Sequence, residues 1–205
     1  MSRSFANFLS YIFHPLLMPF YAMLLVFNLS SYISYSISQQ LQKIIYIAVF
    51  ITTFVMPVLF TLFLVQKKIV GSLELEKKEE RKLPYIATIF FYFVTFYFLK
   101  QLPVPTFFPI IILGAALVII AGFFINLKWK VSVHTLGIGG VMGLTWGLSE
   151  ILYIQIIIPF IILILLSGVI GTARLIRGTH SQMQIYTGLF VGFAIELLVM
   201  KYYAS

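Results

Sequence analysis

The stretch Ala173-Arg174-Leu175-Ile176-Arg177-Gly178-Thr179-His180-Ser181-Gln182-Met183-Gln184 lies between two apolar runs that are each long enough to span a bilayer. We call it the basic turn, because it places two arginines and a histidine where the chain leaves the membrane. His180 and Gln184 are four residues apart, so they would share one face of a helix. Arginine binds phosphate oxygens through its planar guanidinium, and a neutral imidazole can attack phosphorus when an acceptor holds its other nitrogen. The basic turn therefore predicts a phosphate-binding turn that opens a membrane helix.

Composition places the chain among helical membrane proteins. Of its 205 residues, 61% are hydrophobic and only 10% are charged, which excludes an ordinary soluble domain and suits one integral membrane domain covering residues 1–205. Cysteine is absent, so disulfides and thiolate metal sites are excluded. The formal charge of +8 lies mostly in short loops between apolar runs. That distribution favours membrane lipids or phosphorylated ligands as partners and not a nucleic acid.

The apolar runs predict an all-α, polytopic transmembrane bundle with six or seven spans. If the N-terminal run is counted first, the second, third and fourth spans are expected at residues 44–65, 85–99 and 107–125, and the fifth begins at Thr135. The two runs around the basic turn complete the set. Residues 30–42 are rich in serine, tyrosine and glutamine, and they are interpreted as a polar connection.

The N-terminal residues 5–29 are apolar but interrupted by His14-Pro15. Proline breaks or kinks a helix, so this region is expected to be one bent span or an interfacial piece followed by a short span. His14 is interpreted as a capping or interface histidine and not as a catalyst.

Residues 67–82 are the charge-dense segment of the chain, and they connect the second and third spans. Most of these charges are explained as a solvated helical turn with ion pairs between residues four apart. Arg81 fits that explanation least, since it lies beside Pro84 where the third span begins, and it is a candidate phosphate ligand. Lys130 lies four residues before His134, so a helical turn would place both on one face and make Lys130 a second candidate.

Two glycine stripes predict how the histidine-bearing helices pack. The fifth span carries Gly139, Gly143 and Gly147, and the last carries Gly188 and Gly192. Small residues at this spacing let membrane helices approach closely. Packing through these faces would bring His134 and His180 together at the same depth in the bilayer.

Two acidic residues fall within these last spans. Glu196 lies about 24 Å of helix beyond His180 and is too deep to assist it, so a role at a helix end or with a partner is expected for Glu196. Counting spans places the charged segment, the turn before His134 and the basic turn on one side of the membrane.

These three regions resemble, in order, the three signatures of the type-2 phosphatidic acid phosphatase superfamily. The third signature, Ser-Arg-x5-His-x3-Asp, is similar to Ala173-Arg174, His180 and Gln184, where arginine and histidine are kept and serine and aspartate are replaced. The second, Pro-Ser-Gly-His, is similar to 131–134, which keeps Ser132 and His134.

The first signature, Lys-x6-Arg-Pro, is matched in residue type but not in spacing by Lys77, Arg81 and Pro84. The motif stretches thus lie near residues 77–84, 130–134 and 173–184. The resemblance covers roughly residues 77 to 190 and implies that family's fold.

The resemblance also implies hydrolysis of a phosphate or diphosphate lipid through a phosphohistidine, with no metal or organic cofactor. His180 would be the nucleophile and His134 the general acid. The implied phosphate ligands are Arg174, Arg81, Lys130, Lys77 and Ser132. Gln184 takes the place of the aspartate that orients the nucleophile; it can accept the Nδ1 proton but supplies no charge, which predicts a slower enzyme.

Other functions stay open from sequence alone. A phosphohistidine can pass its phosphoryl group to a hydroxyl instead of water, which would make the protein a phosphotransferase. A catalytically silent lipid-binding protein would have no reason to keep Arg174, His180, Ser132 and His134 together. A transporter is disfavoured because no internal repeat is present and the polar residues gather at one end.

The expected location is a bacterial cytoplasmic membrane, as a multi-pass protein. Eleven of the fourteen lysines and arginines fall on the side of the three motif regions, so the positive-inside rule places that side in the cytoplasm. The resemblance implies the opposite side, and the sequence leaves the orientation of the active face open.

Overall fold

A computed structural model of the chain describes residues 1–29, 31–73, 75 and 79–203, and the regular structure in these ranges is entirely helical. Seven helical segments are long and apolar enough to cross a bilayer. The chain is thus an all-α, multi-pass membrane protein, with the larger of the two predicted numbers of spans.

The described ranges contain ten α-helices; nine of them form the seven spans, and α3 lies between the first and the second span. The first half contains α1 (Arg3–Ile12), α2 (Met18–Leu29), α3 (Ser31–Ser36), α4 (Gln39–Phe50) and α5 (Met56–Gln66). The second half contains α6 (Lys82–Lys100), α7 (Phe107–Lys128), α8 (Val133–Leu152), α9 (Ile157–Ile176) and α10 (Gln182–Tyr203).

The second span is continuous from α4 to α5 through a π-helical segment, Ile51–Val55. Pro57 lies two residues after this segment and lacks the N–H that an α-helical turn would use, which favours a locally wider turn. The span starts earlier than the apolar run suggested, because the Ser38 hydroxyl accepts a hydrogen bond from the Leu41 N–H at 3.3 Å and caps α4. Of the polar connection predicted over residues 30–42, residues 39–42 therefore belong to the second span, and the described residues 31–38 do lie between spans.

The N-terminal span is broken at the predicted proline. α1 ends at Ile12, His14 is extended, and Pro15–Leu17 form one 3₁₀ turn before α2. The expected capping role of His14 is confirmed, since its Nδ1 accepts a hydrogen bond from the Leu16 N–H at 3.3 Å. α1 buries Ala6, Leu9 and Ser10, and its opposite side exposes aromatic residues that suit a lipid environment.

The packing of α8 on α10 is the most extensive helix contact in the described chain. It is made by glycines, as predicted: Gly139 lies against the main-chain oxygen of Leu189, Gly143 against that of Phe193 and Gly192 against that of Leu136. A β-carbon at any of these positions would collide with backbone, which cannot move aside as a side chain can. The glycines therefore set the distance between the two helices.

This contact predicts that Gly139→Ala destabilises the protein by about 1–3 kcal/mol, the usual cost of overpacking a tight contact. The thermal unfolding midpoint of the purified protein in detergent measures it. Gly168→Ala is the matched control, because a β-carbon on Gly168 of α9 meets no atom within 4 Å. An unchanged midpoint for Gly139→Ala would contradict the contact.

Candidate functional site

Three connections between spans meet at one end of the bundle. Arg81, at the start of the third span, donates from Nη1 to the main-chain oxygen of Val131 at 3.5 Å. The Ser132 N–H donates to the main-chain oxygen of Gln184 at 3.4 Å. The charged segment, the turn before His134 and the basic turn are thus brought together, as the span count predicted.

His180 is held by Gln184 just before the N-terminal end of α10. The basic turn closes through Gly178, whose φ of +65° is a conformation that favours glycine. His180 precedes the helix, which begins at Gln182, so the two residues do not share a helix face as the spacing suggested. Gln184 instead reaches back from the first turn, and its Oε1 lies 3.2 Å from His180 Nδ1.

The hydrogen bonds of Gln184 determine which nitrogen of His180 carries the proton. Gln184 Oε1 also accepts from the Ser181 N–H at 3.1 Å, which identifies the amide oxygen, since a backbone N–H can only donate. His180 Nδ1 must then carry the hydrogen, and Nε2 keeps its lone pair. That Nε2 is buried and has no hydrogen-bond partner among the described residues. His180 Nε2 is therefore an unprotonated nitrogen in a ring whose orientation is fixed by Gln184.

The charges around His180 are positive. Burial of the ring, followed by the charges of Arg174, Arg81 and Lys130, lowers the pKa of His180 to about 3, and the Gln184 hydrogen bond opposes this only weakly. The imidazole is consequently neutral, and thus nucleophilic, at physiological pH. The same three cations give this end of the bundle a positive potential, which would favour an anionic ligand.

Arg174 lies in the last turn of α9 and is almost fully buried. Its Nη1 donates to the Ser10 hydroxyl at 3.1 Å, and that hydroxyl donates in turn to the Ala6 main-chain oxygen at 2.9 Å. A residue of α1 therefore orients an arginine that is 164 positions away in sequence.

His134 lies in the first turn of α8 and contacts the same N-terminal region. Its Nε2 lies 3.2 Å from the main-chain oxygen of Ser10, and its Nδ1 has no hydrogen-bond partner among the described residues. The ring centroid of His14 is 6.0 Å from that of His134. The electrostatic influence of Arg174 reaches His14, His134 and His180.

Sequence reasoning missed the contributions of Ser10 and His14. The signal for Ser10 was a small polar residue on the side of α1 opposite its aromatic residues. His14 was expected to cap a helix or to lie at an interface, but its packing against the ring of His134 was not predicted.

Two further predicted phosphate ligands lie in the connection before α8. Lys130 lies in the connection before α8, which begins at Val133, so the argument from a shared helical turn with His134 was wrong even though its charge acts on His180. Ser132 is fully buried and caps α8, with its hydroxyl 3.5 Å from the Thr135 N–H. Its contact with phosphate stays a prediction. Lys77 lies outside the described residues.

The two acidic residues of the last spans stand apart from the site. Glu196 lies inside the bundle against Gly114 of α7, so the expectation of a helix-end role for it was wrong. Glu150, at the C-terminal end of α8, pairs with Lys201 at 3.0 Å. Neither carboxylate contacts His180 or His134 in the described structure.

Comparisons of the chain with protein-family models, with curated proteins and with solved structures found no match. The function of the site is therefore argued from its own geometry and charges.

The surroundings of His180 predict that its ring stays neutral down to a pH of about 3. Nuclear magnetic resonance of ¹⁵N-labelled histidine can follow this titration in the variant His14→Asn/His134→Asn, in which His180 is the sole histidine. An ordinary histidine would titrate near pH 6.5. A midpoint at that value would show that the ring is neither buried nor acted on by the cations as described.

Proposed function

We propose that this protein is a membrane-embedded lipid phosphatase that works through a phosphohistidine and is distantly similar to the type-2 phosphatidic acid phosphatases. The observation that carries the proposal is the state of His180. Its Nδ1 is hydrogen-bonded to Gln184. Its Nε2 is buried, has no hydrogen-bond partner among the described residues and lies near three cations. A neutral nucleophile beside an anion-binding site is the arrangement that phosphoryl transfer needs.

The cations would hold the phosphate and stabilise the charge that spreads over its equatorial oxygens. Arg174 suits this role best, because Ser10 fixes its guanidinium and because it is buried. Arg81 is buried as well, and its Nε donates to the main-chain oxygen of Leu75 at 2.8 Å, which orients the side chain. Electrostatic stabilisation by preorganised groups is usually the largest contribution to catalysis.

The proposed first step forms a bond from His180 Nε2 to phosphorus while the bond to the leaving oxygen breaks. The leaving oxygen takes a proton from His134. In the described structure His134 Nε2 faces a carbonyl oxygen, which can only accept, so Nδ1 is the atom that exchanges protons. His134 Nδ1 gains that proton beforehand from the substrate. A substrate that arrives as the monoanion gives up its proton to Nδ1 and is then bound as the dianion, which the cations favour.

The second step releases phosphate. A water molecule attacks the phosphohistidine, His134 Nδ1 takes the proton of that water, and the bond from His180 to phosphorus breaks. The proton left on Nδ1 returns to the departing phosphate, so the site ends in its starting state. A hydroxyl of another lipid in place of water would make the same site a phosphotransferase.

A lipid substrate is favoured by the surroundings of the site. An apolar cavity of about 570 Å³ lies between α2, α8 and α9, and its lining includes Phe13 and Met18, which flank the helix break. An acyl or prenyl chain could lie there while its phosphate reaches His180. Phosphatidic acid and isoprenyl diphosphates fit this description, and the bacterial cytoplasmic membrane is the location we propose.

We expect purified protein to release phosphate from such lipids in the presence of a chelator. His180→Ala should abolish release because it removes the nucleophile, and Arg174→Ala should lower it by about 10²–10³-fold. His134→Ala should cost about 10²–10⁴-fold with a poor leaving group and much less with a good one.

Lys201→Gln is the matched control for these variants, since it breaks an exposed ion pair with Glu150, which does not contact His180 or His134 in the described structure. Release that survives His180→Ala would contradict a phosphohistidine. Absence of release from every lipid would favour the silent lipid-binding function, and transfer to a lipid hydroxyl would favour the phosphotransferase.

Gln184 offers a separate test. Gln184→Glu keeps an oxygen at the position that accepts from His180 Nδ1 and the Ser181 N–H, and it adds the negative charge that an aspartate would supply. We expect turnover to rise about tenfold or more, because the charge stabilises the positive imidazole that forms during attack. Gln184→Leu, of similar size, should lose activity. A slower Gln184→Glu enzyme would show that orientation alone is what Gln184 provides.

A further inference from the structure

We propose that His14 is a further catalytic residue of this site, a neutral histidine that donates a hydrogen bond from Nε2 to an oxygen of the phosphate group while His134 carries the proton. The inference rests on the proposed function. It assigns a role to the N-terminal helix break that none of the three motif regions contains.

The hydrogen bonding of His14 fixes its tautomer. Nδ1 lies 3.3 Å from the Leu16 N–H, which can only donate, so Nδ1 must be an acceptor. In a neutral imidazole the other nitrogen then carries the hydrogen. Protonation of Nδ1 would remove the cap of the Pro15–Leu17 turn, so this histidine is held neutral with Nε2–H as its one donor.

His134 has the complementary tautomer. Its Nε2–H faces the Ser10 main-chain oxygen at 3.2 Å, which leaves a lone pair on the buried Nδ1. The two rings meet edge to face with centroids 6.0 Å apart. The pair therefore presents one donor and one acceptor, and both rings lie within the electrostatic influence of Arg174. An oxygen that first accepts a hydrogen bond and later takes a proton fits between such groups.

The position of His14 is fixed by packing around the helix break. Its ring also contacts Phe54 of the π-helical segment, with centroids 6.1 Å apart. Gly137 of α8 allows the chain after the break to come close, since a β-carbon there would lie 2.7 Å from Met18 Cγ and 3.8 Å from Pro15 Cα. A rigid donor costs little reorganisation during reaction, which is what makes such groups effective.

Two substitutions separate the proposed role from capping. Asparagine places an oxygen near the position of imidazole Nδ1, so His14→Asn keeps the cap but removes the Nε2–H donor. Glutamine places an amide near the position of Nε2, so His14→Gln keeps a donor there and loses the short cap. We expect His14→Asn to lower kcat about 100-fold with KM and the unfolding midpoint nearly unchanged. His14→Gln should stay within about tenfold of the wild-type kcat.

Ser38→Ala is the matched control, because it removes the cap of α4 far from the site in sequence and should leave kcat unchanged. A purely structural His14 would give the reverse order, with His14→Asn like the wild type and His14→Gln less stable and less active. That result would overturn the inference while the phosphatase itself stands. An inactive wild-type protein would instead overturn the proposed function, and this inference with it.

A second measurement uses the unaltered residue. Inorganic phosphate added to ¹⁵N-histidine-labelled wild-type protein should shift the Nε2 resonance of His14 and leave its Nδ1 resonance nearly in place. The Arg174→Ala variant, which lacks one of the two buried arginines, should need more phosphate for the same shift. A His14 Nε2 resonance that does not respond while His180 does would show that the bound phosphate lies out of its reach.

Discussion

The close approach of α8 and α10 is the constraint on which the site depends. Apolar side chains gain little by leaving lipid for protein, so membrane helices associate through tight packing, which small residues permit. Here glycines on both helices bring backbone against backbone. The approach places the first turn of α8 beside the start of α10, where the Ser132 N–H donates a hydrogen bond to the main-chain oxygen of Gln184. His134 and His180 lie at the beginnings of these helices, so their common depth follows from the packing.

The site gathers positive charge around a histidine. Arg81, Arg174 and Lys130 lie near His180, and their charges oppose its protonation. An anionic ligand would pair with these cations and lower the net charge of the region. Gln184 is consistent with the proposed function: a neutral acceptor orients His180 and would not compete with a phosphate for the arginines. A carboxylate there would favour the imidazolium of the intermediate and would weaken phosphate binding.

Much of this structure could be predicted from sequence because the signals were local or periodic. Apolar runs predicted the spans, Pro15 predicted the break, and the glycine spacing predicted the α8–α10 contact. The partnership of His180 with Gln184 followed from their spacing, although His180 lies before the helix and not on it. The role of Lys130 was argued from a helical turn that does not form there, because α8 begins only at Val133. The contribution of α1 was beyond such reasoning, since no pattern in residues 3–14 shows that Ser10 meets Arg174.

The helix break explains why the N-terminus belongs to the site. A helix leaves the carbonyl groups of its last turn without intrahelical partners, and in an apolar environment each must find another donor. α1 ends at Ile12, and its free carbonyls are used: Tyr21 donates to the Ile12 oxygen at 2.7 Å, and the Ser10 oxygen faces His134 Nε2. The acceptor that sets the tautomer of His134 therefore exists because Pro15 stops the helix. The same break turns His14 into a cap and so sets its tautomer too. One proline thus fixes the proton positions of both histidines, which could not follow from a continuous first span.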